Sequence, residues 1–230
     1  MFRKYEKTCR VPNAKIITSG KKMLSSDETR ALLTGSIVIE EKIDGANTGI
    51  IGGKKDFDFR LQKRGSLVDV SEHPQYNRFK AWSMERYLDL NKIRYPFIVY
   101  GEFMWATHHI YYDHLLDWFV CFDIWDGKEY ISRRGKEAFC KNMNIEVVPL
   151  LFEGHVDNID DVLPYVFGKS AYSTTENREG IQIKNYGKQM RGKIVNKNFQ
   201  KELDEDDTHW TSHWDPRRVN SLRSVRRGQH

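Results

Sequence analysis

Short β-branched and aromatic runs, interrupted by helical segments at uneven intervals and never in a strand–helix–strand repeat, limit what this chain can fold into. Residues 36–42, Ser-Ile-Val-Ile-Glu-Glu-Lys, are halted by Asp44-Gly45. They read as a buried strand that delivers Lys42 to its end just before a turn. Residues 47–51 give a second strand, with Gly52-Gly53 and Lys54-Lys55 as its reversal and a partner strand through Phe57, Phe59 and Leu61 at period two. In residues 76–90 the apolar positions Phe79, Trp82, Tyr87 and Leu90 fall at roughly helical spacing, and Pro96 closes the segment. Residues 97–104 and 118–125 are apolar at nearly every position and predict core strands. Residues 132–143 predict a helix capped by Ser132. A strand over 146–152, a short helix over 158–167 and strands over 180–186 and 193–196 complete the pattern. The expected fold class is α+β, with mainly antiparallel sheets flanked by helices.

A chain of 230 residues supports one large domain with a short appendage. The character changes after Phe199: residues 202–207 are acidic, Trp210 and Trp214 are isolated aromatics, and residues 217–227 are basic. The reading is a catalytic-type domain over 1–200 and a short helical, basic tail over 201–230. An aromatic content of 13% argues against disorder. No apolar run approaches the roughly 20 residues a membrane span requires, and the opening Met-Phe-Arg-Lys-Tyr-Glu-Lys is too charged for a signal peptide. A cytoplasmic protein that enters no membrane is expected. Cys9, Cys121 and Cys140 are odd in number and far apart, so neither a disulfide framework nor a CxxC metal site is suggested. The formal net charge of +5 suits an anionic partner without requiring one.

The chemistry concentrates at Lys42-Ile43-Asp44-Gly45-Ala46-Asn47, a KxDGxN pattern. A lysine amine is a nucleophile only when neutral, and its ordinary pKa of about 10.4 must be offset by desolvation or neighbouring positive charge. Asp44 alone pushes the wrong way. A divalent cation near Asp44 and further carboxylates answers this need and also neutralises phosphate charge.

This pattern resembles that of the covalent nucleotidyltransferases, the superfamily of ATP-dependent ligases and capping enzymes, and further motifs follow in that superfamily's order. These are Arg64-Gly65; Tyr100-Gly101-Glu102; the aromatic-Phe-Asp run 119–124; Glu179-Gly180-Ile181-Gln182-Ile183-Lys184; and Arg191-Gly192-Lys193. The resemblance implies an ATP-grasp-like ligase catalytic domain in which Lys42 attacks the α-phosphate of ATP. It implies that Glu41, Asn47, Arg64, Glu102, Phe122, Lys184, Arg191 and Lys193 contact the nucleotide, with Phe122 stacked on adenine and Lys184 and Lys193 assisting at phosphate. Asp44, Glu102 and Glu179 are the implied holders of Mg²⁺ or Mn²⁺. Where the superfamily usually has Lys-x-Lys, this chain has Arg191-x-Lys193, which keeps the charge but presents a planar fork.

The opening Met1-Phe2-Arg3-Lys4-Tyr5 and the placement of Asn47 resemble the nick-sealing RNA ligase branch. The residues after Lys193 are too few for an OB domain. The implied function is joining RNA 3′-hydroxyl and 5′-phosphate ends through lysyl-AMP and adenylylated RNA. ATP and RNA are the expected partners, with grip on the RNA coming from the basic residues Arg217, Arg218, Arg223, Arg226 and Arg227 or from a partner protein. The alternatives are a minimal DNA ligase, a capping guanylyltransferase, or a catalytically silent RNA-binding domain of the same fold. His108, His109, Asp113 and His114 read as a surface loop rather than a metal site.

Overall fold

The computed structural model describes residues 2–12, 22–56, 58–69, 73–196 and 215–223. Two five-stranded sheets carry the fold. In chain order the elements are β1 (Cys9–Arg10), α1 (Ser26–Leu33), β2 (Ile37–Lys42), β3 (Ala46–Ile51), β4 (Arg60–Lys63), α2 (Pro74–Glu85), α3 (Tyr87–Leu90), β5 (Ile98–Phe103), β6 (Phe119–Trp125), α4 (Arg133–Asn142), β7 (Glu146–Val147), β8 (Leu150–Gly154), two 3-10 turns (Ile159–Asp161 and Leu163–Val166), β9 (Gly180–Asn185) and β10 (Met190–Val195). The first sheet has the order β1-β10-β9-β2-β8 and the second β4-β3-β5-β6-β7.

The α+β class stands, and the sheets are mixed but mainly antiparallel, as expected. Each gains a two-residue parallel strand: β1 beside β10, and β7 beside β6. The physical cause at β7 is a crossover. The predicted strand over 146–152 breaks at Val148-Pro149, where Val148 N–H donates to Cys121 in the second sheet and Pro149 C=O accepts from Glu41 in the first. The β2–β3 turn makes the same passage a second time, so Lys42 ends one sheet and Ala46 begins the other.

Period two sorts the first sheet into two faces. Ile37, Ile39, Ile181, Ile183 and Ile194 pack with Leu32, Val162 and Val166 behind it. Tyr5, Ile43, Tyr100, Tyr112, Phe122 and Val195 fill the space between the sheets. Phe79, Trp82, Phe103, Phe119 and Cys140 form the core behind the second sheet. Ser132 caps α4 as expected, its hydroxyl accepting from Gly135 N–H.

Other boundaries shift for local reasons. The helix predicted over 76–90 divides at Arg86, whose φ of −104° and ψ of 14° end α2. Its guanidinium there meets Asp117 at 2.7 Å. The partner strand predicted through 57, 59 and 61 is only β4; Phe59 precedes it and packs on Tyr87 with ring centroids 5.7 Å apart, and position 57 lies outside the described residues. The helix predicted over 158–167 is two 3-10 turns, the first capped by Asn158 and the second carrying Pro164 near its start. The tail is neither helical nor loose where it is described. After a turn at 216–217, the segment up to residue 223 lies along residues 105–115, with bridges from Ala106 to Val219 and from Leu115 to Leu222. Trp210, Trp214, Arg226 and Arg227 lie outside the described residues. All three cysteines are free thiols, and among the described residues no helix is long and apolar enough to cross a membrane.

Candidate active site

Lys42 sits at the last position of β2, opposite Gly180 of β9, which in turn lies opposite Val195. Close approach of the backbone requires glycine at 180, and at 45 a larger residue would have to displace Met104. A Cβ on Gly180 would stand 2.1 Å from the Ile194 carbonyl oxygen, and one on Gly45 would stand 2.6 Å from Met104 Sδ. The strands can therefore pack tightly enough to bring Glu179, just before β9, onto Lys42. The Lys42 ammonium donates to Glu179 Oε2, and both side chains are largely buried.

Asp44 is held from the loop after β5. His109 donates to its Oδ2 from the backbone N–H at 2.9 Å, and the His109 Nδ1 lies 3.2 Å from the same oxygen. His108 Nδ1 is 4.0 Å from Oδ1, and Asp44 N–H donates to the Tyr112 hydroxyl at 2.8 Å. Glu102, in β5 opposite Asn47 of β3, completes the group. One of its oxygens, Oε2, is buried without a hydrogen-bond partner.

The electrostatics follow from this crowding. Burial pushes the Glu102 carboxyl up to about 8, against the opposing charges of Lys42 and Arg64. Burial also favours a neutral Lys42, but Glu179, Glu102 and Asp44 outweigh it and raise the amine above its ordinary value. Lys193 goes the other way, lowered to about 8 by burial and then by the charge of Lys42. Burial would raise Asp44, yet the His109 hydrogen bond and the nearby His108 and Lys42 charges hold it at about 2. The centre thus holds a protonated lysine beside the Asp44 and Glu179 carboxyls, with Glu102 able to gain or lose its proton near neutral pH, so an added cation or a change in proton occupancy frees the amine.

The structure brings Lys42, Asp44, Asn47, Glu102, Glu179 and Lys193 to one end of the gap between the sheets. Arg64 is exposed just after β4, and its charge acts on Glu102 and Lys193. Four other sequence candidates lie elsewhere or are already engaged. Glu41 points to the opposite face of β2, where Ser170 Oγ donates to it at 2.5 Å and Ala171 N–H at 3.0 Å. Lys184 is buried in ion pairs with Glu40 at 2.7 Å and Asp123 at 3.1 Å. Arg191 stacks over Tyr130, 3.5 Å from the ring centroid, and pairs with Asp123 at 3.3 Å. Phe122 is 3% exposed and meets Tyr5 edge-on, with centroids 4.9 Å apart.

Sequence reasoning missed the support beneath these residues. Glu40 accepts from Arg133 at 2.7 Å and Lys136 at 2.5 Å, and Tyr5 donates to Asp123 at 2.6 Å. It also misread the histidine loop. His108 is buried, with Nε2 3.1 Å from Gln75 Oε1, and both His108 and His109 back Asp44. Asp113 turns away to accept from Thr174 N–H at 2.8 Å. Among the described residues no three His, Cys, Asp or Glu side chains converge on one metal position.

Against known proteins, a family model described as RNA ligase matches residues 35–199. The chain belongs to the RNA ligase family. No curated protein matches it. Among solved structures, this RNA ligase family chain is similar to Naegleria gruberi RNA ligase with PPi, at 15% identity over 89% of this chain and 58% of that one, TM-score 0.62. It is also similar to a mutant of the same ligase with ATP and Mn, at 14% identity over 78% and 55%, TM-score 0.62. An apo mutant gives 14% identity over 78% and 54%, TM-score 0.60. The chain spans a little more than half the length of these structures, and at this identity the likeness establishes the fold.

Proposed function

We propose that this protein is an ATP-dependent RNA ligase that joins RNA 3′-hydroxyl and 5′-phosphate ends through a lysyl-AMP intermediate. One observation carries the reading. Lys42 Nζ, at the seam of the two sheets, is bonded to Glu179 and surrounded by Asp44, Glu102 and Lys193. A buried lysine held among three carboxyl groups is costly as pure structure and useful as a nucleophile whose charge state can be switched.

In this reading Glu179, already bonded to the ammonium, takes its proton as the amine is freed. The Nζ–P bond to the α-phosphorus forms as the bond to pyrophosphate breaks. Lys193, with Arg64 at the rim, meets the phosphate oxygens, where an anionic ligand relieves the cost of their charge. An RNA 5′-phosphate oxygen next attacks the AMP phosphorus and releases Lys42. A 3′-hydroxyl then attacks the activated 5′-phosphate and expels AMP.

A divalent cation fits the carboxylates. Glu102 has an unpartnered buried oxygen, and its carboxyl is raised in a way that a neighbouring cation would reverse. Because three side chains do not converge on one point, one or two of Asp44, Glu102 and Glu179 would hold the ion, with water and phosphate oxygens completing its shell, as Mg²⁺ prefers. Bound there, Mg²⁺ or Mn²⁺ supplies charge neutralisation at the phosphates and favours the neutral Lys42 amine. The ATP and Mn of the similar Naegleria ligase support this choice. In this reading Phe122, Lys184 and Arg191, engaged with Tyr5, Glu40, Asp123 and Tyr130, shape the pocket from beneath, Glu41 braces the back of β2, and direct nucleotide contact is left to the residues around Lys42.

The test is sealing of a 5′-phosphorylated nick. An RNA 3′-hydroxyl side is expected to be joined in an ATP- and Mg²⁺-dependent way, and Lys42→Ala to abolish joining. Equal sealing of an all-DNA nick would refute the RNA assignment, and transfer from GTP in preference to ATP would point to a capping-type enzyme.

A further inference from the structure

Asp44 is aimed by a loop that has little regular structure of its own, and that loop is closed by a segment more than a hundred residues later in the chain. Residues 215–223 lie along it. Thr107 N–H donates to Arg218 C=O at 3.0 Å, Asn220 N–H to Trp105 C=O at 3.0 Å, and Ser221 N–H to Tyr112 C=O at 2.8 Å. Leu115 N–H donates to Ser221 C=O at 3.3 Å, and Arg223 N–H to Leu115 C=O at 2.7 Å. The Asn220 side chain, 3% exposed, closes the centre of this contact. Its amide donates to the carbonyls of Met104 at 2.6 Å and Ala106 at 3.3 Å. Its oxygen accepts from Thr107 Oγ1 and Tyr112 N–H, both at 3.0 Å.

The same stretch of loop then reaches the centre. His109 grips Asp44 Oδ2 through its N–H and lies against it through its ring, and Tyr112 accepts from Asp44 N–H through its hydroxyl. Asn220 thus braces Tyr112 and Ala106 on either side of the His108-His109 pair. Met104, whose carbonyl Asn220 also takes, has its sulfur against Gly45, next to Asp44. Without the Asn220 amide, the Met104 and Ala106 carbonyls, the Tyr112 N–H and the Thr107 hydroxyl would lose these bonds inside the contact, a state that protein interiors avoid by rearranging.

We propose that residues 215–223 are a latch, and that Asn220 is a positioning residue which sets Asp44 for the Lys42 reaction by fixing residues 104–112. The latch contributes no atom to the chemistry; it acts only through the His109 and Tyr112 contacts to Asp44. This rests on the ligase reading, because Asp44 matters as a charge near the nucleotide. It also gives the C-terminal segment a role other than RNA grip, since the described part spends its backbone and its most buried side chain on its own domain.

The test compares full-length wild type with Asn220→Ala by hydrogen exchange across residues 104–112 and by the rate of lysyl-AMP formation at varied ATP and Mg²⁺. The expected result is at least about tenfold faster exchange in that loop and about tenfold slower labelling at saturating ATP, with the half-saturating Mg²⁺ concentration raised and that of ATP little changed. Exchange within twofold of wild type overturns the latch, and so does faster exchange with unaltered labelling and Mg²⁺ dependence. If Asn220→Ala fails to fold, Thr107→Val, which removes a single bond to Asn220, carries the same comparison with about threefold effects, and absence of those effects overturns the proposal equally. Wild-type protein that takes no label at all refutes the Lys42 reading instead, and the latch is then decided by the exchange comparison alone.

Discussion

Replacing Glu40 with glutamine tests the polar floor on which the site stands. Glu40 is 1% exposed and meets Arg133, Lys136 and Lys184 at 2.7, 2.5 and 2.7 Å. Burial alone would raise its carboxyl, but these three cations override burial and hold it at about 2 rather than the usual 4.5. That depression corresponds to about 3 kcal/mol of folding stability at neutral pH. Removing one partner of a buried ion pair independently suggests about 3–5 kcal/mol. In Glu40→Gln, Lys136 keeps only the Phe122 carbonyl and Lys184 keeps that carbonyl and Asp123. Urea unfolding followed by circular dichroism is expected to show about 3–5 kcal/mol lost, or a Tm lower by roughly 6–20 °C for a chain of this size. Because the folded-state pKa is depressed, the wild-type advantage is full above the ordinary carboxylate pKa and is lost as pH falls toward about 2. The gap between the two proteins should therefore shrink by about half or more between roughly pH 6 and pH 3. Glu137→Gln is the control, since that carboxylate is half exposed on the other side of Arg133 and should cost less than about 1 kcal/mol. A Glu40→Gln loss below about 1 kcal/mol, or a gap that does not vary with pH, would refute the reasoning.

Gly180→Ala would place a methyl 2.1 Å from the Ile194 carbonyl, so β9 and β10 must part where Lys42 meets Glu179. About 3 kcal/mol of lost stability and loss of lysyl-AMP formation are expected from thermal melts and labelling, and a variant of normal stability would contradict the packing. Lys193→Met should separate stability from activity. The folded-state pKa of Lys193 is lowered to about 8, so its charge opposes folding in full below that value, and the penalty shrinks as pH rises from there and is gone above the ordinary lysine pKa. At about pH 7 without nucleotide, Lys193→Met should melt higher by about 1–3 kcal/mol of stability while labelling falls at least about a hundredfold, and a lower melting point would show the charge to be well paired.

The parts of the account legible in the sequence are those written locally. The strand end at Asp44-Gly45 was legible from the turn residues, and Lys42 and Glu179 lie together where β2 meets β9. The motif order did not fix which face a residue serves. Glu41 is adjacent to Lys42 in sequence and, by the two-residue period of a strand, on the opposite side of the sheet. Phe122, Lys184 and Arg191 fall on the correct face but at depth, because Glu40 and Asp123 draw the cations under the pocket. A clue was present in Glu40 itself, a carboxylate within an otherwise β-branched run, which demands buried cationic partners. Lys136 and Arg133 gave no matching sign, since a basic residue on an amphipathic helix reads the same whether it faces water or a distant acid. Nor did composition disclose the latch, whose hydrogen bonds are made by backbone groups and one asparagine across a long sequence separation.

The most direct measurement is intact-protein mass spectrometry after incubation with ATP and Mg²⁺, followed by mapping of the modified peptide. The account predicts a gain of one AMP at Lys42, reversed by pyrophosphate and absent from Lys42→Ala. An adduct that persists in Lys42→Ala, or wild-type protein that gains no AMP with either Mg²⁺ or Mn²⁺, would contradict it.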